Sequence, residues 1–347
     1  MSVRSEHSRA IRARLFCRVL LSTLAVFVLS FSSQAVEVGE QLERSGDEIM
    51  VCGQLFHTTA PVVLWTDPKG YDAYRVERRF SEFETSSWEQ SKQANPFLDT
   101  PNRYNLRKDT LTKDQIEQVR GGGWTLPLLR EVVDQFVMHY DVCGVSQQCF
   151  KVLHDGRGLS VHFMLDIDGT IYQTLDLKER AWHATISNTR SIGIEIASIG
   201  AYPEDKKAVL ERWYTEKADG TILHPPRSLG HLGLRREPFK AMPARPKPVV
   251  GTIQGVELYQ YDFTPEQYDS LIKLTATLCR VFPKLDCVYP QDDEGKLVPK
   301  KLPDDRWRDF QGVLGHYHVQ LNKTDPGPAF DWERVIGGAN KLLAGKE

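Results

Sequence analysis

No two cysteines in this chain are spaced CxxC, no segment repeats, no tract is of low complexity, and no apolar run reaches the ~20 residues of a membrane-spanning helix. The missing CxxC argues against a cysteine zinc knuckle, and the missing repeats argue against a solenoid or an array. An excess of positive charge is also lacking. Lys and Arg number 44 against 46 Asp and Glu, a net −2, so composition offers no basic face for nucleic acid.

The longest apolar run is VLLSTLAVFVLSF (Val19–Phe31). Arg4, Arg9, Arg12, Arg14 and Arg18 precede it against the single acid Glu6, and the small residues Ser33 and Ala35 follow. That order predicts a secretory signal peptide over 1–35, cleaved after Ala35, with an uncleaved anchor as the alternative. Cys17 precedes the apolar run and is badly placed for a lipidated N-terminus. The expected product is exported, periplasmic or extracellular, with no stable membrane span. Disulfides are plausible in such a compartment. CGVSQQC (143–149) and CRVFPKLDC (279–287) are the short-range candidates, and Cys52 is left over. The odd count leaves these pairings open.

Residues 36–125 read as an N-terminal arm, β-rich over 49–65. A helix is expected from the capping box TKDQ at Thr112 to Gly121–Gly123. The main domain, 126–347, begins with QFVMHYDV (135–142), where Phe136, Met138 and Tyr140 alternate with Val137, His139 and Asp141. LSVHFMLDIDGTIYQTL (159–175) reads as a hairpin turning at Asp168–Gly169. SIGIEIASIG (191–200) presents Ile192, Ile194 and Ile196 on one face and Gly193, Glu195 and Ala197 on the other. A long connection, about 203–260, includes an expected helix at 205–217. Helices then follow from TPEQ (264–267) to about Phe282 and over DWERVIGGANKLL (331–343). The expected fold is α/β, a single central mixed sheet flanked by helices.

Three features carry chemistry: His139 in mid-strand, Glu195 between two small residues, and GHYHVQLNKTDPGPAFDW (315–332). A catalytic zinc needs three protein ligands and an open position. His139, His316 in a strand-like stretch, and Asp325 before a rigid Pro326–Gly327–Pro328 turn meet that need. A lone strand histidine and a DPGP turn are also ordinary structural features, so the pattern alone leaves both readings open.

In this order, VMHY (137–140), SVHFMLDIDGTIYQ (160–173), RAWHA (180–184), SIGIEI (191–196) and the 315–332 stretch resemble the type-2 N-acetylmuramoyl-L-alanine amidases. That family groups bacterial cell-wall amidases, phage lysozyme-like amidases and peptidoglycan recognition proteins. The resemblance covers about 137–336. It implies a zinc cleft at one face of the sheet and one zinc ion per chain, held by His139, His316 and Asp325. It further implies hydrolysis of the amide between the lactyl group of N-acetylmuramic acid and L-alanine, in peptidoglycan or a muropeptide. Glu195 matches the carboxylate of the family's IGIE strand, and Lys323 matches the lysine two residues before the last ligand. His183 and Trp182 match positions lining the substrate groove, with His183 alternatively holding Trp182. Cys143–Cys149 looks like the short disulfide loop of the recognition proteins.

Zinc lowers the pKa of bound water from about 15.7 toward about 7, Glu195 suits proton transfer, and Lys323 suits an oxyanion. His162 reads as structural. His318 shares a face with His316 if their stretch is a strand, which makes it the rival ligand, at a point where the family usually carries an acid. The insertion, with Tyr259 and Tyr261, is expected to wall the groove. Competing functions are a peptidoglycan-binding module without catalysis and a zinc peptidase acting on the stem peptide.

Overall fold

The structure, a computed structural model, describes residues 38–345. The signal peptide expected at 1–35, Cys17 included, lies outside the described residues. The chain divides after Glu43. Residues 38–43 carry no helix or strand, and Arg44–Glu347 form the second unit. Among the described residues, no helix is long and apolar enough to cross a membrane.

Six strands build the central sheet: β1 (Val62–Leu64), β2 (Gln135–Tyr140), β3 (Phe163–Leu165), β4 (Ile171–Gln173), β5 (Ser191–Ile196) and β6 (Gly312–Gly315). Their spatial order is β6-β2-β5-β3-β4-β1. Every neighbouring pair is parallel except the β3–β4 hairpin. That hairpin turns where expected. Gly169 has φ +82°, and a Cβ there would stand 2.8 Å from the Glu266 carbonyl oxygen, so backbone and space both require glycine.

The helices that matter for the site are α1 (Lys113–Arg120), α2 (Leu126–Val132), α3 (Pro265–Val281), α4 (His316–Val319) and α5 (Trp332–Ala344). Reciprocal capping boxes open α1 at Thr112–Gln115 and α3 at Thr264–Gln267. Phe136, Met138, Ile192 and Ile194 pack with Leu271, Leu274 and Leu278 of α3 and Val335 and Ile336 of α5 in one core. Each such side chain contributes about 1.5–3 kcal/mol by leaving water. Val137 and Leu314 lie in a separate cluster with Val319 and Leu302. A sheet buried on both sides explains why β2 and β5 are apolar almost throughout.

The segment read as an arm supplies β1, which pairs with β4 at the sheet edge. The structure departs from the expectations at two places. The helix expected at 205–217 is only Ala208–Glu211, followed by a hairpin of Tyr214–Lys217 with Gly220–Leu223. Tyr214 stacks on Tyr261 with ring centroids 4.1 Å apart, and this long-range contact overrides local helix preference. Finally, the strand expected through His316 stops at Gly315 and becomes α4.

Candidate metal centre and active site

His139 lies on β2 facing away from Phe136 and Met138. His316 opens α4 directly after β6, whose Gly315 is the partner of Met138 across the parallel ladder. Two imidazoles therefore leave adjacent strand ends, and Asp325 returns to them on the loop after α4. His139 Nδ1 and His316 Nδ1 are 2.9 Å apart, and Asp325 Oδ2 is 2.9 Å from each. All three residues are buried.

This donor set fits a divalent ion. Donors about 2.0–2.2 Å from one zinc stand no more than about 4.4 Å apart, and the triangle is well inside that span. Two Nδ1 atoms and a carboxylate oxygen this close need a proton or a metal cation shared between them. The remaining ring nitrogens agree with Nδ1 ligation. His316 Nε2 donates to Gln320 Oε1 at 2.5 Å. His139 Nε2 lies 3.0 Å from His183 Nδ1, and His183 Nε2 meets Ser191 Oγ at 3.2 Å. Such outer partners fix the tautomer and leave Nδ1 free for a metal.

Burial, and after it the neighbouring His316, lowers the pKa of His139 to about 4. Burial opposes the charge of Asp325, yet the two imidazoles hold its carboxyl well below the usual range. Glu195 is the Cα partner of His139 across β2–β5, so both side chains share a face. Burial first, then the carboxylates of Asp325 and Asp141, push its pKa well up, with Lys323 pulling the other way. Its Oε2 is buried without a hydrogen-bond partner. Lys323 is half-buried and lies two residues before Asp325.

Several expected residues take other positions. His183 is half-buried, and its two ring nitrogens stand against His139 and Ser191. Trp182 Nε1 is buried and unpartnered. His318, the rival ligand, points away. Its Nδ1 accepts from Gly315 N at 2.9 Å and its Nε2 donates to the Val298 carbonyl at 2.8 Å, because α4 rotates residues two apart onto different sides. His162 is buried between Gly193 N and the Glu179 carbonyl, a structural role. No disulfide is shown among the five described cysteines, and Cys143 and Cys149 stand next to one another. Cys279 and Cys287 are likewise neighbours.

Sequence reasoning missed the residues that hold the ligand loop. Gln260 Nε2 donates to the Pro326 carbonyl at 3.0 Å and its Oε1 accepts from Ala329 N at 2.9 Å. A Cβ on Gly327 would collide with that same Oε1 at 2.1 Å. Gln254 Nε2 donates to the carbonyls of Tyr317 and Gln320, and Tyr140 Oη meets Thr324 Oγ1 at 2.7 Å. Both glutamines come from the hairpin Val249–Ile253 with Val256–Gln260, so the end of the insertion braces the DPGP turn. A cavity of about 290 Å³ between Phe56–Thr59 and α3 contains none of these residues.

The N-acetylmuramoyl-L-alanine amidase family matches residues 129–328. No curated protein is a significant match. Among solved structures, the chain is similar to a selenomethionine AmpD derivative, with 16% identity, 68% of this chain and 89% of that one covered, and a TM-score of 0.31. It is also similar to the endolysin N-acetylmuramoyl-L-alanine amidase LysCS from Clostridium intestinale URNW, with 17% identity, 61% and 86% covered, and a TM-score of 0.32. A third is the amidase AmiD from E. coli in complex with the substrate anhydro-N-acetylmuramic acid-L-Ala-D-gamma-Glu-L-Lys, with 19% identity, 62% and 64% covered, and a TM-score of 0.33.

Proposed function

The chain belongs to the N-acetylmuramoyl-L-alanine amidase family, and from that membership we propose an exported, zinc-dependent enzyme that cuts the lactyl–L-alanine amide of peptidoglycan. The observation that carries the zinc reading is the 2.9 Å triangle of His139, His316 and Asp325. The unpartnered Glu195 oxygen beside it supports a proton carrier at the same site. Export rests on the arginine-rich start and the apolar run Val19–Phe31.

When bound, zinc supplies Lewis acidity that makes water a competent nucleophile near neutral pH. Glu195 takes the proton of the attacking water at its free oxygen and returns it to the departing alanine nitrogen. Lys323 donates to the oxygen that gains charge as the carbonyl carbon becomes tetrahedral, worth about 3–4 kcal/mol at comparable oxyanion sites. His183 and Gln320 keep the two imidazoles in register. Trp182, half-buried beside His183, offers an apolar face to the muramyl group. In an oxidising compartment the adjacent pairs Cys143–Cys149 and Cys279–Cys287 close as disulfides, leaving Cys52 as a thiol.

Digestion of purified sacculi with zinc-loaded protein tests this reading. The expected result is new N-terminal L-alanine, lost on chelation and restored by zinc. Tight sacculus binding without release would show a recognition module. Fragments that keep L-alanine on muramic acid would show a stem-peptide peptidase.

A further inference from the structure

Resting on the metal-site reading above, we propose that Arg107, which lies outside the family-matched segment, is a positioning residue that holds His183 against His139. Tyr104–Asn105 pairs antiparallel with Arg180–Ala181, immediately before Trp182 and His183. Two residues further on, the fully buried Arg107 enters beneath the turn that joins RAWHA to β5. Its Nη1 donates to the carbonyls of Asn188, Thr189 and Ser191 at 3.3, 2.7 and 3.0 Å, and its Nε to the Leu177 carbonyl at 3.1 Å.

Two of these residues are the ones whose side chains hold His183. Asn188 Oδ1 accepts from His183 N at 3.1 Å and from Ala184 N at 2.6 Å, and Ser191 Oγ meets His183 Nε2 at 3.2 Å. Arg107 thus grips the backbone of the residues that grip the histidine. Its Nη2 also lies 3.0 Å from His162 Nε2. Gly193 N donates to His162 Nδ1, which places that ring's proton on Nε2, facing the Glu179 carbonyl. The Nη2 approach is therefore a contact of charge against a neutral ring. A guanidinium is the side chain that serves this place, because its planar fork reaches several carbonyls at once and a lysine ammonium does not.

The test is a double-mutant cycle read by zinc affinity, with histidine-ring ¹⁵N spectra of the apo protein as the second readout. Removing an outer partner of a metal ligand typically costs 10–100-fold in affinity. Arg107→Met is expected to weaken zinc binding by no more than that factor and to perturb the His183 and His139 ring signals. Arg107→Lys should fall between it and the wild type. Combined with His183→Ala, Arg107→Met should add nothing, because both act through one ring. Unchanged affinity and ring signals in Arg107→Met, or an additive loss in the double variant, would overturn the proposal. If Arg107→Met does not fold, Arg107→Lys, which keeps the buried charge but not the planar fork, takes its place in the cycle, and the same two outcomes apply. A wild-type protein that takes up no zinc defeats the metal reading, while the apo ring spectra still decide the role of Arg107.

Discussion

Gln320 holds the imidazole of His316 from four residues downstream, its Oε1 2.5 Å from Nε2. The spacing is one helical turn, and α4 supplies it. Only with the Nε2 proton given to Gln320 does Nδ1 face His139 and Asp325 as a lone pair.

Gln320→Leu removes that acceptor with little change in bulk. Zinc affinity, measured by competition with a chromophoric chelator, is expected to fall by about 10–100-fold. His316→Ala should abolish zinc retention, because it removes one corner of the triangle. A Gln320→Leu variant with wild-type affinity would show that His316 is oriented by something else.

Glu195→Gln keeps the shape of the side chain and removes its capacity to carry a proton. Turnover of sacculi or muropeptides is expected to fall by about 10²–10⁴-fold. Metal content, measured by mass spectrometry of the protein after gel filtration, should stay at one zinc per chain. Loss of zinc would instead make Glu195 a ligand.

Acid should weaken the fold through Glu48. Burial pushes its carboxyl up, but the Ser45 hydroxyl and the backbone N–H groups of Ser45 and Gly46 outweigh that and bring it down to about 2. Asp47 and His57 stand close to it, but these hydrogen bonds already occupy the Glu48 oxygens. A carboxyl with a folded pKa below its unfolded value stabilises the fold above the unfolded pKa. That stability is lost as pH falls through the folded value. Wild type should therefore exceed Glu48→Gln in urea stability at neutral pH, with the difference shrinking between about pH 5 and pH 2. A difference that stays constant across that range would contradict the assignment.

His139 and Glu195 were legible in the sequence because strand alternation fixes the side of the sheet each residue faces. β2 and β5 also turned out to be neighbours with these two in register. The relation of His316 to His318 depends on whether their stretch is strand or helix. Alternation places residues two apart together, whereas a single turn of helix separates them. The turn after Asp325 was legible from its prolines, but not the clasp on it from Gln260, 66 positions before Pro326. Arg107 and Ser191 are 84 positions apart. No local pattern marks neutral amides, or one arginine in a polar arm, as partners of a distant loop.

Gly193→Ala probes how closely the His183 ring is fitted. Gly193 is a strand residue of β5 without the positive φ that would by itself exclude a side chain. An added Cβ would nevertheless stand 2.5 Å from His183 Cε1 and Nδ1 and 2.8 Å from Cγ. The ring has no free direction of retreat, since His139 Nε2 and Ser191 Oγ hold its two nitrogens. The expected outcome is displacement of His183 and an approximately 10–100-fold loss of zinc affinity, with a cooperative urea transition retained. Isothermal titration with zinc checks the first and circular dichroism the second. Wild-type affinity in Gly193→Ala would mean that His139 is held without His183, and that this glycine is there for some reason other than the ring.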